Sequence, residues 1–134
     1  MVPKEFPEAS EGFHPFGEFI GLIFTAYGDG HSRCELEVKK ELLNPHGVVH
    51  GGVLYSMADT GMGGALYSIL DENELCTTVE IKIAYFAAVE SGKLACDTRV
   101  IDRRSRIAIL ESEVKNEGRL VAKAMGTFYI YEKR

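Results

Sequence analysis

The residues of this chain best suited to chemistry lie in one short segment that contains a glycine pair and an aspartate. His50, Gly51 and Gly52 precede a long apolar stretch, and Asp59 lies inside that stretch. The first N–H groups of a helix have no partner within the helix and carry partial positive charge, so a bare glycine backbone there can stabilise an oxyanion. A carboxylate among apolar neighbours is costly unless it is paired or used, which makes Asp59 a candidate general base or nucleophile. The segment therefore predicts acyl-transfer chemistry.

The spacing of the two candidate groups predicts a dimer. Eight residues of helix rise roughly 12 Å, so one substrate carbonyl cannot contact both Gly51 and Asp59 of the same chain. If the two groups act together, they come from different subunits, and a two-fold dimer with its helices side by side contains two such mixed sites. We therefore predict an obligate dimer with active sites at its interface. An apolar acyl pocket is expected there, with contributions from Tyr55 and Met62.

Each of these residues also has a purely structural interpretation. Asp59 is then a helical aspartate that hydrogen-bonds locally or faces solvent, and the glycine pair is an ordinary turn and helix start. His50 is either a core histidine or a ligand, and we expect it to hold the turn by hydrogen bonds.

Metal binding by the two histidines of this segment is disfavoured. His46 and His50 have the i, i+4 spacing of paired ligands on a helix, but Pro45 and Gly47 oppose a helix at this position. We therefore expect no metal at these histidines. No separate cofactor is predicted either. Asn44, which begins the segment, is expected to contact the acyl group or an attacking water.

Three arginines lie close together at a predicted turn between strands. Arg103, Arg104 and Arg106 stand out in a chain whose net charge is −5. They form either a solvated turn or a local site for phosphate groups. Both interpretations remain open at this point.

The hydrophobic pattern predicts a helix that packs closely against a sheet. Apolar residues recur at helical spacing over residues 52–70. Gly61, Gly63 and Gly64 lie within this stretch, and glycine is a poor helix former. Their presence indicates close packing rather than a free surface helix.

The remaining segments predict an antiparallel sheet. Residues 32–39 alternate between apolar and charged side chains, as expected of a half-buried antiparallel strand. Other candidate strands cover residues 16–27, 77–86, 93–101, 106–115 and 120–131, and residues 1–15 are expected to form a leading arm. One helix between a hairpin and a four-stranded meander predicts a single α+β domain over residues 1–134, with the sheet wrapped around the helix.

The composition limits the functional class. The chain has 134 residues, 46% of them hydrophobic, and its net charge of −5 argues against general nucleic-acid binding. No apolar run approaches the length of a membrane span, and the first residues do not read as a signal peptide. The chain has three cysteines, Cys34, Cys76 and Cys96, which lie far apart in the sequence and form no close pair. We therefore expect no disulfide framework, and we expect the cysteines to pack as small apolar residues. This cysteine usage fits a reducing cytoplasm best.

The segment also resembles a known family. The resemblance is carried by a motif and by the strand that follows it: Asn44-x5-His50-Gly51-Gly52-x6-Asp59, then residues 78–86. This pattern resembles the hotdog-fold acyl-CoA thioesterases, most closely the PaaI-type branch named after the phenylacetate pathway. The likeness covers residues 16–131. It implies a hotdog fold, with about six antiparallel strands around one long central helix.

The resemblance implies a role for each residue of the motif. The N–H of Gly51 polarises the thioester carbonyl. Independently of the resemblance, the glycine pair of Gly51 and Gly52 lets a ligand approach the bare backbone N–H closely. Asp59 of the facing subunit acts as general base for water or as nucleophile. Asn44 helps to place the thioester or the water, and Thr78 lies near the carboxylate and assists. The arginines of the turn then bind the phosphates of coenzyme A, and the assembly is a tetramer made of two dimers.

The sequence therefore predicts an acyl-CoA thioesterase whose products are a carboxylic acid and free coenzyme A. Hydration of enoyl thioesters is a rival chemistry in the same fold, but the histidine patterns that it requires are absent. A second rival is a non-catalytic acyl-CoA-binding or sensing module that works through a partner protein. Such a binder has little need of a poised carboxylate at position 59.

Overall fold

The computed structural model describes residues 14–134, in which six strands form one antiparallel sheet. The elements in chain order are α1 (Pro15–Ile20), β1 (Ile23–Gly28), β2 (His31–Glu37), a 3₁₀ turn (Lys40–Leu42), α2 (Gly51–Tyr67), β3 (Glu74–Tyr85), β4 (Lys93–Arg103), β5 (Ile107–Asn116) and β6 (Arg119–Glu132). The long helix α2 packs against the sheet, and the predicted α+β class and the six-stranded sheet are confirmed. No helix among these residues is long and apolar enough to cross a membrane.

The first strand is shorter than the sequence predicts. Residues 16–27 do not form one strand, because α1 covers Pro15–Ile20 and β1 begins only at Ile23. Pro15 occupies the first helical turn, where its fixed φ is favourable, and Gly21 ends the helix in the left-handed conformation with φ 81°. These two local signals outweigh the strand preference of the phenylalanine and isoleucine side chains. The predicted leading arm lies outside the described residues, except for its last two positions.

The predicted four-stranded meander is wrong in one respect, the place of β3. The strand order is β1-β2-β4-β5-β6-β3, so only β4, β5 and β6 form a meander. A strand has two edges, and β2 and β5 occupy both edges of β4. The chain therefore takes β3 to the far edge of the sheet, where it pairs with β6 alone.

Two of the three glycines in the second half of α2 allow the close packing that the sequence predicts. A β-carbon at Gly61 would lie 2.7 Å from Oγ1 of Thr98, and one at Gly64 would lie 2.7 Å from Cε1 of Phe24. The expectation fails for Gly63, where a β-carbon would meet nothing within 4 Å inside the described chain. Glycine at positions 61 and 64 thus lets the helix approach β4 and β1.

The neighbouring positions 63 and 64 provide a matched test of this packing. We expect Gly64→Ala to lower the free energy of unfolding by about 1–3 kcal/mol, because the added methyl overlaps the Phe24 ring. Gly63→Ala adds the same methyl without a clash in the chain and is expected to raise stability by up to about 1 kcal/mol through helix propensity. Thermal and urea unfolding of both variants measures the difference. Equal stability of the two variants would contradict the packing described here.

The sheet brings together two cysteines that are distant in the sequence. Cys34 on β2 lies directly across from Cys96 on β4, and both are fully buried. The prediction that the cysteines form no close pair is therefore wrong for these two, because strand register rather than sequence distance places them. Both thiols are free, and the hydrogen bond to Cys96 together with burial raises the pKa of the Cys34 thiol. Cys76 is half-buried.

Candidate active site

The turn before α2 is organised by Asn44. Its side-chain oxygen accepts hydrogen bonds from the backbone N–H groups of His46 (2.9 Å) and Val48 (3.4 Å). Its own backbone N–H donates to the carbonyl of Val48, and its carbonyl accepts from Gly47, which has φ +80°. This use of the side-chain oxygen leaves the amide nitrogen as the group with which Asn44 can contact a ligand.

His50 caps the first turn of α2. Its Nδ1 accepts a hydrogen bond of 2.8 Å from the N–H of Gly52, and its carbonyl accepts one of 2.9 Å from the N–H of Val53. The prediction that His50 holds the turn by hydrogen bonds is confirmed. With Nδ1 as the acceptor, Nε2 is the ring nitrogen left to face a ligand or solvent. A β-carbon at Gly52 would lie 2.8 Å from Nδ1, so the cap requires glycine at position 52.

These bonds leave the N–H of Gly51 as the open donor at the helix start. Gly51 is the first residue of α2, so its N–H precedes the helical hydrogen-bond pattern. Within the described part of the chain this N–H has no acceptor, whereas the N–H groups of Gly52 and Val53 are both occupied by His50. The bond to the His50 carbonyl also polarises the peptide group to which the Gly51 N–H belongs. The geometry therefore suits Gly51 as the donor to a developing oxyanion.

Asp59 lies on α2, and one of its carboxylate oxygens accepts a hydrogen bond from a side chain of the sheet. The hydroxyl of Thr78 on β3 donates a 2.7 Å hydrogen bond to Oδ1 of Asp59. Thr78 immediately precedes a β-bulge, where the register of β3 against β6 shifts between Thr78 and Glu80. The expectation of a carboxylate buried among apolar neighbours is wrong for the single chain, in which Asp59 is half-buried. Helical periodicity explains this, because Met57 and Ala58 point into the core, whereas the next residue lies on a half-buried side of the helix, from which it reaches Thr78.

The two residues predicted to line an acyl pocket, Tyr55 and Met62, differ in their exposure to solvent. Tyr55 is exposed near the helix start. Met62 has no exposed surface and lies in the core between α2 and the sheet, where a β-carbon at Gly126 would touch its sulfur. Met62 is therefore not part of any surface that a substrate can reach, and its placement in the pocket is corrected.

The three arginines of the β4–β5 turn differ in their partners. Arg103 forms a 2.7 Å ion pair with Glu74, and its exposed fraction is only 23%. Arg104 is 78% exposed and pairs with Asp102 at 2.8 Å. Arg106 has no carboxylate partner in the described chain, and its guanidinium donates to the hydroxyl of Tyr129 at 3.3 Å. Arg103 thus joins the start of β3 to the end of β4 through Glu74, and the phosphate-site interpretation stays a prediction for all three arginines.

Strand register relates this turn to Asp59. Arg106 precedes Ile107, which lies opposite Tyr129 on β6, and Tyr129 lies opposite Thr77 on β3. Two strand spacings amount to roughly 10 Å. The turn and the Thr78–Asp59 pair thus lie near the same end of the sheet. No group of three potential metal ligands occurs among residues 14–134.

Tyr85 is a further residue at this site that the sequence did not single out. Its hydroxyl donates a 2.7 Å hydrogen bond to the carbonyl of Gly51, and its ring lies against the α-carbon of that residue. The available signal was an aromatic residue at the end of a predicted strand, which does not identify a contact 34 positions away in the chain.

Comparison with known proteins gives a consistent family assignment. The family model described as the Thioesterase superfamily matches residues 46–123. A relative from Archaeoglobus fulgidus, whose name proposes esterase activity, is 36% identical over 114 residues, which cover 84% of this chain and 72% of the relative. The structure of the conserved protein PA5202 from Pseudomonas aeruginosa is 36% identical with a TM-score of 0.85, covering 88% of this chain and 94% of that one. A variant of the phenylacetic acid degradation protein PaaI from Thermus thermophilus is 28% identical with a TM-score of 0.81, covering 87% and 97%.

Proposed function

The chain belongs to the thioesterase superfamily, in its PaaI-type hotdog branch, and from this we propose that it hydrolyses acyl-CoA thioesters to a carboxylic acid and free coenzyme A. The observation that carries the proposal is the open N–H of Gly51 at the start of the same helix that presents Asp59 to Thr78. A thioester needs a donor for its carbonyl oxygen and a base or nucleophile for its carbonyl carbon. These two groups supply that pair.

The proposed reaction begins when the thioester oxygen accepts a hydrogen bond from the N–H of Gly51. Asp59 then either removes a proton from a water that attacks the carbonyl carbon or attacks that carbon itself. The carbon–sulfur bond breaks, and the thiolate of coenzyme A takes up a proton. In the second route, water afterwards hydrolyses the acyl–Asp59 anhydride. Asn44 and Thr78 orient the reacting groups in either route.

The spacing along α2 requires a second chain, and the edge of the sheet suggests where it binds. β3 pairs with β6 only, so its other edge presents unpaired backbone groups. Val79 and Phe86 at this edge are 59% and 56% exposed. Covering this edge with a two-fold partner would place Gly51 of one chain near Asp59 of the other. We propose this dimer, and a tetramer made of two such dimers, as the active assembly.

The proposal is tested by following free-thiol release from acetyl-, hexanoyl-, lauroyl-, phenylacetyl- and hydroxybenzoyl-CoA. Hydrolysis of one or more of these substrates by the wild type, lost in Asp59→Asn, would support the assignment and identify the acyl class. If none of these substrates is hydrolysed but acyl-CoA still binds tightly, the result would instead support the non-catalytic binding module. No cofactor is added, because coenzyme A enters as part of the substrate.

The basic turn provides a separate prediction about substrate binding. We expect Arg106→Ala to raise KM for acyl-CoA about five-fold without changing kcat, because this unpaired guanidinium is available for a phosphate group. KM for the corresponding acyl-pantetheine, which lacks the nucleotide, should not change. Arg119→Ala is the matched control, since Arg119 begins β6 at the opposite end of the β5–β6 pair. Equal effects of Arg106→Ala on both substrates would contradict a role in nucleotide binding.

A further inference from the structure

We propose that Tyr85 is a positioning residue that holds the Gly51 N–H in its catalytic orientation from the end of β3. This inference rests on the proposed function, since it assigns Gly51 as the oxyanion donor. Tyr85 does not contact the reacting atoms in this role. It acts through the backbone of the first turn of α2.

The contact between the two residues has two parts. The Tyr85 hydroxyl donates a 2.7 Å hydrogen bond to the Gly51 carbonyl, which fixes the peptide group between Gly51 and Gly52. The phenol also occupies the space beside Gly51, since a β-carbon there would be 3.1 Å from both Cζ and Oη of Tyr85. The phenol thus restrains the position and the orientation of the first helical residue.

This contact explains why position 51 is glycine. Gly51 is not among the glycines of the described chain that have positive φ, so its backbone conformation is open to any residue. The three atoms nearest to a β-carbon at this position all belong to Tyr85, at 3.1–3.3 Å, which is a tight contact. Gly52, by contrast, is restricted by the ring of His50. A side chain is therefore disfavoured at the two adjacent positions for different reasons. At position 52 the obstacle is a neighbour in the same turn, and at position 51 it is a residue on a distant strand.

The first turn needs such a restraint. Two consecutive glycines have more backbone freedom than any other pair, and the first residues of a helix lack partners within the helix. Besides Tyr85, the turn before Gly51 is held by the His50 cap and by the hydrogen bond from the His50 N–H to the Leu42 carbonyl. Partial burial, with a smaller contribution from Tyr55, raises the pKa of Tyr85 above its ordinary value of 10.0, so the phenol remains a donor at neutral pH.

One strand thereby orients both candidate groups of the same helix. Thr78 near the start of β3 holds Asp59, and Tyr85 at its end holds Gly51. β3 is also the edge strand to which the proposed partner chain binds. The proposed dimer edge and the two side chains that contact Asp59 and Gly51 therefore belong to the same strand.

The first test removes the hydroxyl and keeps the ring. We expect Tyr85→Phe to lower kcat about five- to ten-fold with KM within about two-fold of the wild type, because it removes the hydrogen bond to the Gly51 carbonyl that restrains the first turn of α2. Tyr131→Phe is the matched control, because Tyr131 is an exposed tyrosine stacked on Tyr129 on β6. A Tyr85→Phe enzyme with wild-type kcat would overturn the proposal.

The second test uses the steric contact. Gly51→Ala keeps the N–H but places a β-carbon against the Tyr85 ring, and we expect a kcat about ten-fold lower in the wild-type background. In a Tyr85→Ala background the same substitution should cost less than about two-fold, because the clash is gone. Equal costs in the two backgrounds would show that Tyr85 does not act on Gly51.

The two proposals can fail separately. If the wild type hydrolyses no thioester, the proposed function fails, and amide hydrogen exchange still tests the role of Tyr85. The N–H groups of Gly52 and Val53 are bonded to His50 in the first turn. Faster exchange of these two amides in Tyr85→Phe than in Tyr131→Phe would support the positioning role, and unchanged exchange would overturn it.

Discussion

Replacement of Asp59 by asparagine is expected to lower kcat for thioester hydrolysis about a thousand-fold. The amide keeps the shape of the carboxylate and can still accept the hydrogen bond of the Thr78 hydroxyl, which is 2.7 Å long in the wild type. It cannot accept a proton from water or attack a carbonyl carbon. The loss therefore reports the chemistry of the carboxylate rather than the packing of the helix. Steady-state thiol release from the best substrate measures it.

A matched carboxylate controls for general effects of charge. Asp97 on β4 pairs with Arg33 at 2.8 Å, and its side chain is 44% exposed. Asp97→Asn should keep wild-type kcat and lose less than about 1 kcal/mol of stability, as is usual for an exposed ion pair. The dimer content of both variants should match the wild type. The melting temperature of Asp59→Asn should also match it, and that of Asp97→Asn should fall by at most a few degrees. Turnover near the wild-type rate in Asp59→Asn would refute the thioesterase assignment for this site.

Mixing two inactive variants is expected to restore about a quarter of wild-type activity. In a dimer with shared sites, each site takes Gly51 from one chain and Asp59 from the other. A hybrid of Asp59→Asn with a variant that lacks the Gly51 donor has one site with both defects and one intact site. Equal mixing makes half of the dimers hybrids, and each hybrid has half of its sites active. Sites formed within one chain would show no recovery.

Gly51→Pro is the variant that removes the backbone donor. Proline has no N–H and is well accepted as the first residue of a helix. His50 has φ −58° and ψ 131°, which is the conformation that a residue before proline prefers. We expect a loss in kcat of about a hundred-fold or more from removing one oxyanion donor.

The mixing experiment needs two controls. Gly51→Ala has the same β-carbon contact with Tyr85 and keeps the N–H, so the difference between the alanine and proline variants measures the donor itself. Co-expression of the two inactive chains with different tags allows the hybrid to be purified. A pure hybrid should have half of the wild-type activity, and an inactive pure hybrid would contradict shared sites.

Much of the fold could be predicted from local patterns. The alternation of β2 and the helical spacing of α2 each follow from which side chains must be buried, so their type and approximate bounds were correct. The first strand was misjudged because Pro15 and Gly21 bound a short helix that strand preference alone does not reveal. The place of β3 was missed because sequence order does not state which edge of a sheet a strand joins.

In the candidate site, too, the sequence could predict local contacts but not contacts between distant parts of the chain. The His50 cap lies within a few residues of the glycines it serves, so the sequence alone could predict that this turn is held by the histidine. Whether Arg103 is free or paired depends on Glu74, which the fold brings to it from 29 positions away. The burial of Met62 likewise depends on which face of α2 the sheet covers.

By itself, the sequence determined the turn, the helix and the family motif, because these depend on contacts among neighbours in the chain. Only the tertiary structure decided which donor of the turn is open, which arginine is unpaired and which side chain restrains Gly51. The Tyr85 contact spans 34 positions and the Thr78 contact spans 19. Both arise from the packing of an edge strand against a helix. Such contacts depend on strand register and sheet order, which are set by the burial of the whole chain rather than by any local segment.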